Sequence, residues 1–184
     1  MNLHLPIQTP RLTLRRFTVD DLEAFQAYRS DPELARYQGW QPVADAEAIT
    51  FLAAQSKQQL GAEGEWLQVA ITRRDTCQLI GDLGLCVVNE GVGVIELGFT
   101  VARSEHGQGY GTEAVTGVVA ALMATGRVRS VVAVVDTRNV AAVALLKRAG
   151  FELERTDAAI YHGEPCQEHT FVFAAARSSG GPLR

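Results

Sequence analysis

The chain has 184 residues, 47% of them hydrophobic and 21% charged, proportions that suit one packed globular domain. A net charge of −4 leaves no basic footprint for nucleic acid, and no apolar run approaches the ~20 residues of a membrane helix, so neither nucleic acid nor membrane is expected as a partner. The N-terminus lacks a basic-then-apolar leader pattern, and Cys77, Cys86 and Cys166 are an odd, widely spaced set, so a cytoplasmic protein with free thiols and no zinc site is expected.

In chain order, Arg11-Leu12-Thr13-Leu14-Arg15 alternates as a half-buried strand does, and Thr18-Val19-Asp20-Asp21 reads as a capping box opening a helix to about residue 29. Asp45 is expected to cap a second helix running through residue 60. Strands follow over residues 66–72 and 79–88, with Asn89-Glu90-Gly91 turning into a strand over 94–101. After a glycine loop come a helix to about 126, a strand ending at Asp136, a helix over 139–149, and closing strands around 152–160 and 169–175. No repeat or linker divides residues 1–176, whereas the Ser- and Gly-rich stretch 177–184 reads as a disordered tail.

The glycine loop carries the chemistry. Gly107, Gly109 and Gly111 alternate with Gln108 and Tyr110 between a strand and a helix start, so successive backbone N–H groups can converge on an anion at the positive end of a helix dipole. A phosphate or pyrophosphate is the expected ligand. A Walker A loop is excluded because no Lys follows Gly111. The dinucleotide fingerprint is a closer decoy, since Gly107-x-Gly109 is present and Asp136 ends a later strand. Against it, Thr112 occupies the third glycine's place, and five residues, 102–106, separate the strand from Gly107.

At these residues the chain resembles the GNAT superfamily of acyl-CoA N-acyltransferases, in the branch that includes the RimJ/RimL ribosomal-protein N-terminal acetyltransferases. The likeness runs through Thr9-Pro10-Arg11-Leu12-Thr13-Leu14-Arg15 with Asp20-Asp21-Leu22, through Asp31-Pro32-Glu33-Leu34-Ala35-Arg36-Tyr37 with Gly39-Trp40, and through residues 107–114. It ends with Asn139 and Leu145-Leu146-Lys147-Arg148-Ala149-Gly150-Phe151. The resemblance implies an α/β (α+β) fold with a mixed, largely antiparallel twisted sheet flanked by helices. In it, strands 94–101 and 130–136 run parallel and splay to form the acyl-CoA cleft.

By the same resemblance, the coenzyme is acetyl-CoA and no metal takes part. Its pyrophosphate would meet His106, Gly107, Gln108, Gly109, Tyr110, Gly111 and Thr112, its pantetheine the backbone of Phe99, Thr100 and Val101, with Asn139 as a side-chain partner. Asn139 also fits a plain helix N-cap, and His106 a solvated loop residue. Glu96, a carboxylate within the apolar run Val94-Ile95-Glu96-Leu97-Gly98-Phe99, is the candidate general base, the alternative being a cross-strand ion pair with an Arg. Tyr37, Trp40, Gln41 and Trp66 are candidate walls of the acceptor pocket, with core packing as the alternative for Trp66. The family's usual general-acid Tyr is replaced by Leu146 and its branch Ser by Ala142, which leaves water, Ser104 or Tyr161 to protonate the leaving group.

The implied activity is acetyl transfer to a primary amine, on a protein N-terminus or a small molecule, by direct attack in a ternary complex formed by a monomer or homodimer. The alternative is an acyl-CoA-binding regulatory or interaction module without efficient turnover.

Overall fold

The computed structural model describes residues 3–38, 40, 44–161 and 163–174. Eight strands form one sheet in the order β1-β2-β3-β4-β5-β6-β8-β7. They are β1 (Ile7–Gln8), β2 (Leu12–Arg15), β3 (Trp66–Arg73), β4 (Leu79–Asn89), β5 (Val94–Val101), β6 (Ser130–Asp136), β7 (Glu152–Tyr161) and β8 (Glu164–Ala174). Every neighbouring pair is antiparallel except β5 and β6. The helices are α1 (Leu22–Arg29), α2 (Pro32–Ala35), α3 (Asp45–Gln55), α4 (Tyr110–Ala124) and α5 (Val140–Arg148). Among the described residues no helix is long and apolar enough to cross a membrane.

Alternation along the central strands divides the interior in two. Leu67, Val69 and Ile71 of β3 and Leu83, Leu85 and Val87 of β4 share the larger core with Ala114, Val115, Val118, Val119 and Leu122 of α4. Those α4 positions recur at helical spacing, and each fully buried Leu or Val contributes roughly 1.5–3 kcal/mol of hydrophobic stabilisation. Ala70, on the opposite face of β3, joins Phe17, Phe25, Tyr28, Ala48 and Leu52, which hold α1 and α3. Being covered on both faces, β4 is buried from Leu79 through Val87.

A buried polar knot pins α1 to the sheet. Asp82 on β4 accepts hydrogen bonds from Tyr28 Oη at 2.5 Å and Arg29 Nη2 at 2.9 Å, and lies opposite Thr100 of β5. Trp40 stacks on the same guanidinium, 4.4 Å from ring centre to Cζ.

Several boundaries differ from the sequence reading. The first helix opens as a tight turn over Val19–Asp21, where Asp21 reaches back to the Thr18 N–H at 2.8 Å, before α1 proper. Ala44, not Asp45, caps α3; the Asp45 carboxylate in the first turn accepts from Gln26 Nε2 at 3.1 Å instead. That helix stops at Gln55, because Ser56-Lys57-Gln58-Gln59 offers no apolar face to continue burial. The last strand starts at Glu164, five residues before its expected start, because Gly163 turns at φ 81° and lets β7 and β8 zip into one long hairpin. The stretch 177–184 lies outside the described residues.

Candidate functional site

The sheet opens at the one parallel pair among the described residues. Strands β5 and β6 pair only at Val94–Ser130, Ile95–Val131 and Glu96–Val132, whereas β5 stays with β4 to Val101 and β6 stays with β8 to Asp136. Beyond Glu96 the two strands therefore diverge, and a cavity of about 370 Å³ occupies the wedge. Leu97, Gly98 and Phe99 form its β5 side, and Val134, Val135 and Asp136 its β6 side. Unpaired strand groups in such a wedge must find other partners. Gln38 Nε2 donates to the Phe99 carbonyl at 3.3 Å, and His106 Nε2 donates to the Val101 carbonyl at 2.8 Å. Thr100 and Val101 themselves are buried.

Next to the wedge lies the glycine loop. A tight turn over Arg103–Glu105 precedes Gly107, with φ 75°, and Gly109, whose φ of 81° makes it a left-handed N-cap for α4. Helical bonding starts with the Glu113 N–H donating to the Gly109 carbonyl at 3.0 Å. The amides of Tyr110, Gly111 and Thr112 thus fall in the first turn, where no intrahelical acceptor exists for them. The Tyr110 side chain is buried under Arg11, whose Cζ is 4.5 Å from the ring centre, and the Gln108 amide bonds Glu105 at 3.2 Å.

Among the described residues three carboxylates face the cavity: Glu96, Asp136 and Glu168. Asp136 is neutralised by Arg138 at 2.6 Å, which holds its carboxyl below the usual range. Glu96 has no ion-pair partner among the described residues. Burial first, and then the Glu168 carboxylate, push its own carboxyl above the usual range. The cross-strand Arg considered for Glu96 is therefore absent among them. Tyr161 also lines the cavity, and burial followed by Glu168 and Asp136 raises its phenol, so it carries its proton at neutral pH.

Of the aromatic residues expected in the acceptor pocket, Tyr37 and Trp66 line the cavity. Trp66 is 39% exposed, not core. Its indole packs on Gly84, where a Cβ would stand 2.9 Å from the ring, and reaches Gly98, where a Cβ would be at an ordinary 3.8 Å. Trp40 sits over Arg29 and is not among the lining residues, and Gln41 lies outside the described residues. Asn139 is the N-cap of α5, its Oδ1 accepting from the Ala142 N–H at 3.1 Å, and it lines the cavity at the same time. Ala142 lines it too, Leu146 is fully buried, and Ser104 is exposed in the turn before the loop. Cys86, opposite Glu96 in the register, is buried with its thiol pushed up, chiefly by burial.

The residues that sequence reasoning missed are Gln38, Asp136 in its cavity role, and Glu168. For Glu168 the available signal was alternation in Cys166-Gln167-Glu168-His169-Thr170, which puts it on the same face as Thr170 and opposite Asp136.

The acetyltransferase (GNAT) domain family matches residues 11–152, and the chain belongs to that family. It is an N-acetyltransferase of the GNAT fold. YoaA, an uncharacterized N-acetyltransferase of Bacillus subtilis (strain 168), is 32% identical over 149 residues, covering 80% of this chain and 83% of that protein. A GNAT-family acetyltransferase of Bacillus anthracis superposes with a TM-score of 0.80 at 18% identity, over 92% of this chain and 98% of its own. The ribosomal-protein alpha-N acetyltransferase RimL, solved in complex with coenzyme A, gives a TM-score of 0.78 at 16% identity, covering 92% of this chain and 98% of its own.

Proposed function

We propose that this protein transfers the acetyl group of acetyl-CoA to a primary amine by direct attack in a ternary complex. The observation that carries this reading is the wedge that opens between β5 and β6 beyond Glu96, with Gly111 in the first turn of α4 lying against Val101 at the end of β5. A pyrophosphate is matched by those amides, and an extended amide-bearing arm by the carbonyls of Phe99 and Val101. In this reading Gln38 and His106 yield those carbonyls to the pantetheine, and Asn139 faces it from α5. RimL, whose fold this chain shares, was solved holding coenzyme A.

The amine must be neutral to attack the thioester carbonyl. Its nitrogen forms the new C–N bond, its proton passes to Glu96, the C–S bond breaks, and the departing thiolate takes a proton from Tyr161. Glu96 suits the base role because its carboxyl is raised toward the amine's own range, and Tyr161 suits the acid role because its phenol is protonated. Tyr37 and Trp66 wall the acceptor, and the Glu168 carboxylate, which has no ion-pair partner among the described residues, favours an amine that arrives as a cation.

Coenzyme A thiol release, followed with a panel of N-terminal peptides and small amines, tests the proposal. Amine-dependent release above the hydrolysis background is expected. Tight coenzyme A binding without release for any amine would instead make the chain an acyl-CoA-binding module, and binding of NAD but not coenzyme A would return the loop to the dinucleotide class.

The pH profile supplies a second expectation. Glu96 acts only when ionised, and its carboxyl is raised by burial and by Glu168, so the acid limb of kcat/KM lies above the pH at which an ordinary Glu titrates. Glu168→Gln removes one of those two causes. The limb is expected to move to lower pH; a limb that stays in place or moves up would show that Glu96 does not set it.

A further inference from the structure

We propose that Arg11, brought from the N-terminal strand region, is a positioning residue that sets the orientation of the anion-binding peptide at Gly109; this rests on the coenzyme reading above. Arg11 reaches the loop at three points. Its Nη1 donates to the Gln108 carbonyl at 2.9 Å, its Nε donates to Glu113 Oε2 at 2.6 Å, and its guanidinium covers the Tyr110 ring. Its own backbone N–H donates to Glu113 Oε1 at 2.7 Å, and Thr9 Oγ1 donates to the same oxygen at 2.7 Å. The turn before β2, the loop and the first turn of α4 are thereby joined across about a hundred residues of chain.

The effect on the loop follows from peptide geometry. In a planar trans peptide the C=O and the N–H point in opposite directions. Because the Gln108 carbonyl is directed at Arg11, the N–H of Gly109 in the same peptide unit points away from it. Gly107 and Gly109 both have positive φ, and glycine visits alternative conformations at little cost, so the local chain does not by itself hold that peptide in one orientation. The guanidinium fork does, since its planar donors are fixed relative to one another.

Glu113 makes the same brace necessary for a second reason. A carboxylate in the first turn suits the helix dipole but opposes an incoming pyrophosphate. Partial burial works against its charge, yet the bonds from Thr9 and from the Arg11 backbone and side chain outweigh this and hold the carboxyl below its usual range, so it stays ionised. Arg11 cancels that charge at the place where it would repel the ligand. About half of the Arg11 side chain is exposed, so the ion pair itself adds little to stability; its contribution is to geometry.

The test compares coenzyme A with pantetheine, which lacks the pyrophosphate, by calorimetry on the intact protein. Wild type is expected to bind coenzyme A the more tightly, and Arg11→Met to shrink the ratio of the two affinities by about tenfold, the loss expected for one charge-assisted constraint. An unchanged ratio in folded Arg11→Met protein overturns the proposal. The double variant Arg11→Met/Glu113→Gln is expected to stay weak, because the Gln108 carbonyl still lacks its donor. Recovery of the wild-type ratio in the double variant would show charge cancellation alone and overturn the clamp. A wild-type protein that does not discriminate between the two ligands overturns the coenzyme reading, and the clamp with it.

Discussion

Gly109→Val is expected to leave a folded protein that has lost at least about 100-fold in affinity for coenzyme A, as though two charge-assisted backbone bonds worth ~1.5 kcal/mol each were gone. Gly109 sits at φ 81° as the N-cap of α4, a left-handed conformation that costs an L-residue roughly 1–2 kcal/mol and a β-branched one more. Space is not the obstacle, because the nearest atom to an added Cβ is the tip of Arg11, 3.5 Å away. Since the larger core on α4 begins with the Tyr110 ring and Ala114, the strain falls on an exposed cap, and a domain with ~5–15 kcal/mol of stability survives it. What changes is the path of the chain: valine returns φ to negative values and re-aims the N–H groups of residues 109–111 away from a common point. Calorimetry with coenzyme A and a thermal melt decide the matter. An unchanged affinity in a folded variant would remove the loop from the coenzyme site.

That loop was legible because everything defining it is local: three glycines, a strand before, helical periodicity after. The same holds for β5, whose limits at Val94 and Val101 follow from apolar alternation between Gly93 and the polar run 103–106, and for Asn139, whose type and place before Val140 specify a cap. The β8 wall of the cavity was less legible because it depends on register between segments far apart in the chain. Glu168 reaches the cavity only because β8 zips against β6 with Asp136 opposite Glu168, and because the hairpin with β7 is longer than its composition suggested. Trp66, a candidate wall for which core packing was the alternative, does line the cavity and is 39% exposed. Its place on the sheet surface depends on Gly84 of the neighbouring strand, where a Cβ would meet the ring at 2.9 Å, a proximity that only strand pairing creates. For Trp40 the loop position in the sequence said nothing of the buried Arg29–Asp82 pair, whose guanidinium the indole stacks on.

Glu96→Gln is expected to lower turnover by roughly 10²–10⁴-fold at pH 7, the span of general-base catalysis, while acetyl-CoA affinity hardly changes. The substitution keeps the side chain's shape in the β5 wall of the cavity and removes only its ability to take a proton. The loss is expected to shrink as pH rises past the acceptor's own pKa, where the amine is already neutral. Stability separates this role from a structural one. A carboxyl raised on folding stabilises the fold below its unfolded pKa and loses that contribution as pH rises through the folded pKa; at neutral pH an ionised Glu96 therefore burdens the fold. With no cationic partner among the described residues to strand, Glu96→Gln should melt at the wild-type temperature or slightly above it at pH 7. Its thermal advantage should diminish in acid, where the native carboxyl is itself protonated. A buried ion pair would behave in the opposite way, since removing one member leaves an uncompensated charge at about 3–5 kcal/mol. Near-wild-type turnover at pH 7 with a verified acceptor would place the base elsewhere, whereas a collapse of melting temperature together with activity would make Glu96 a structural residue of β5.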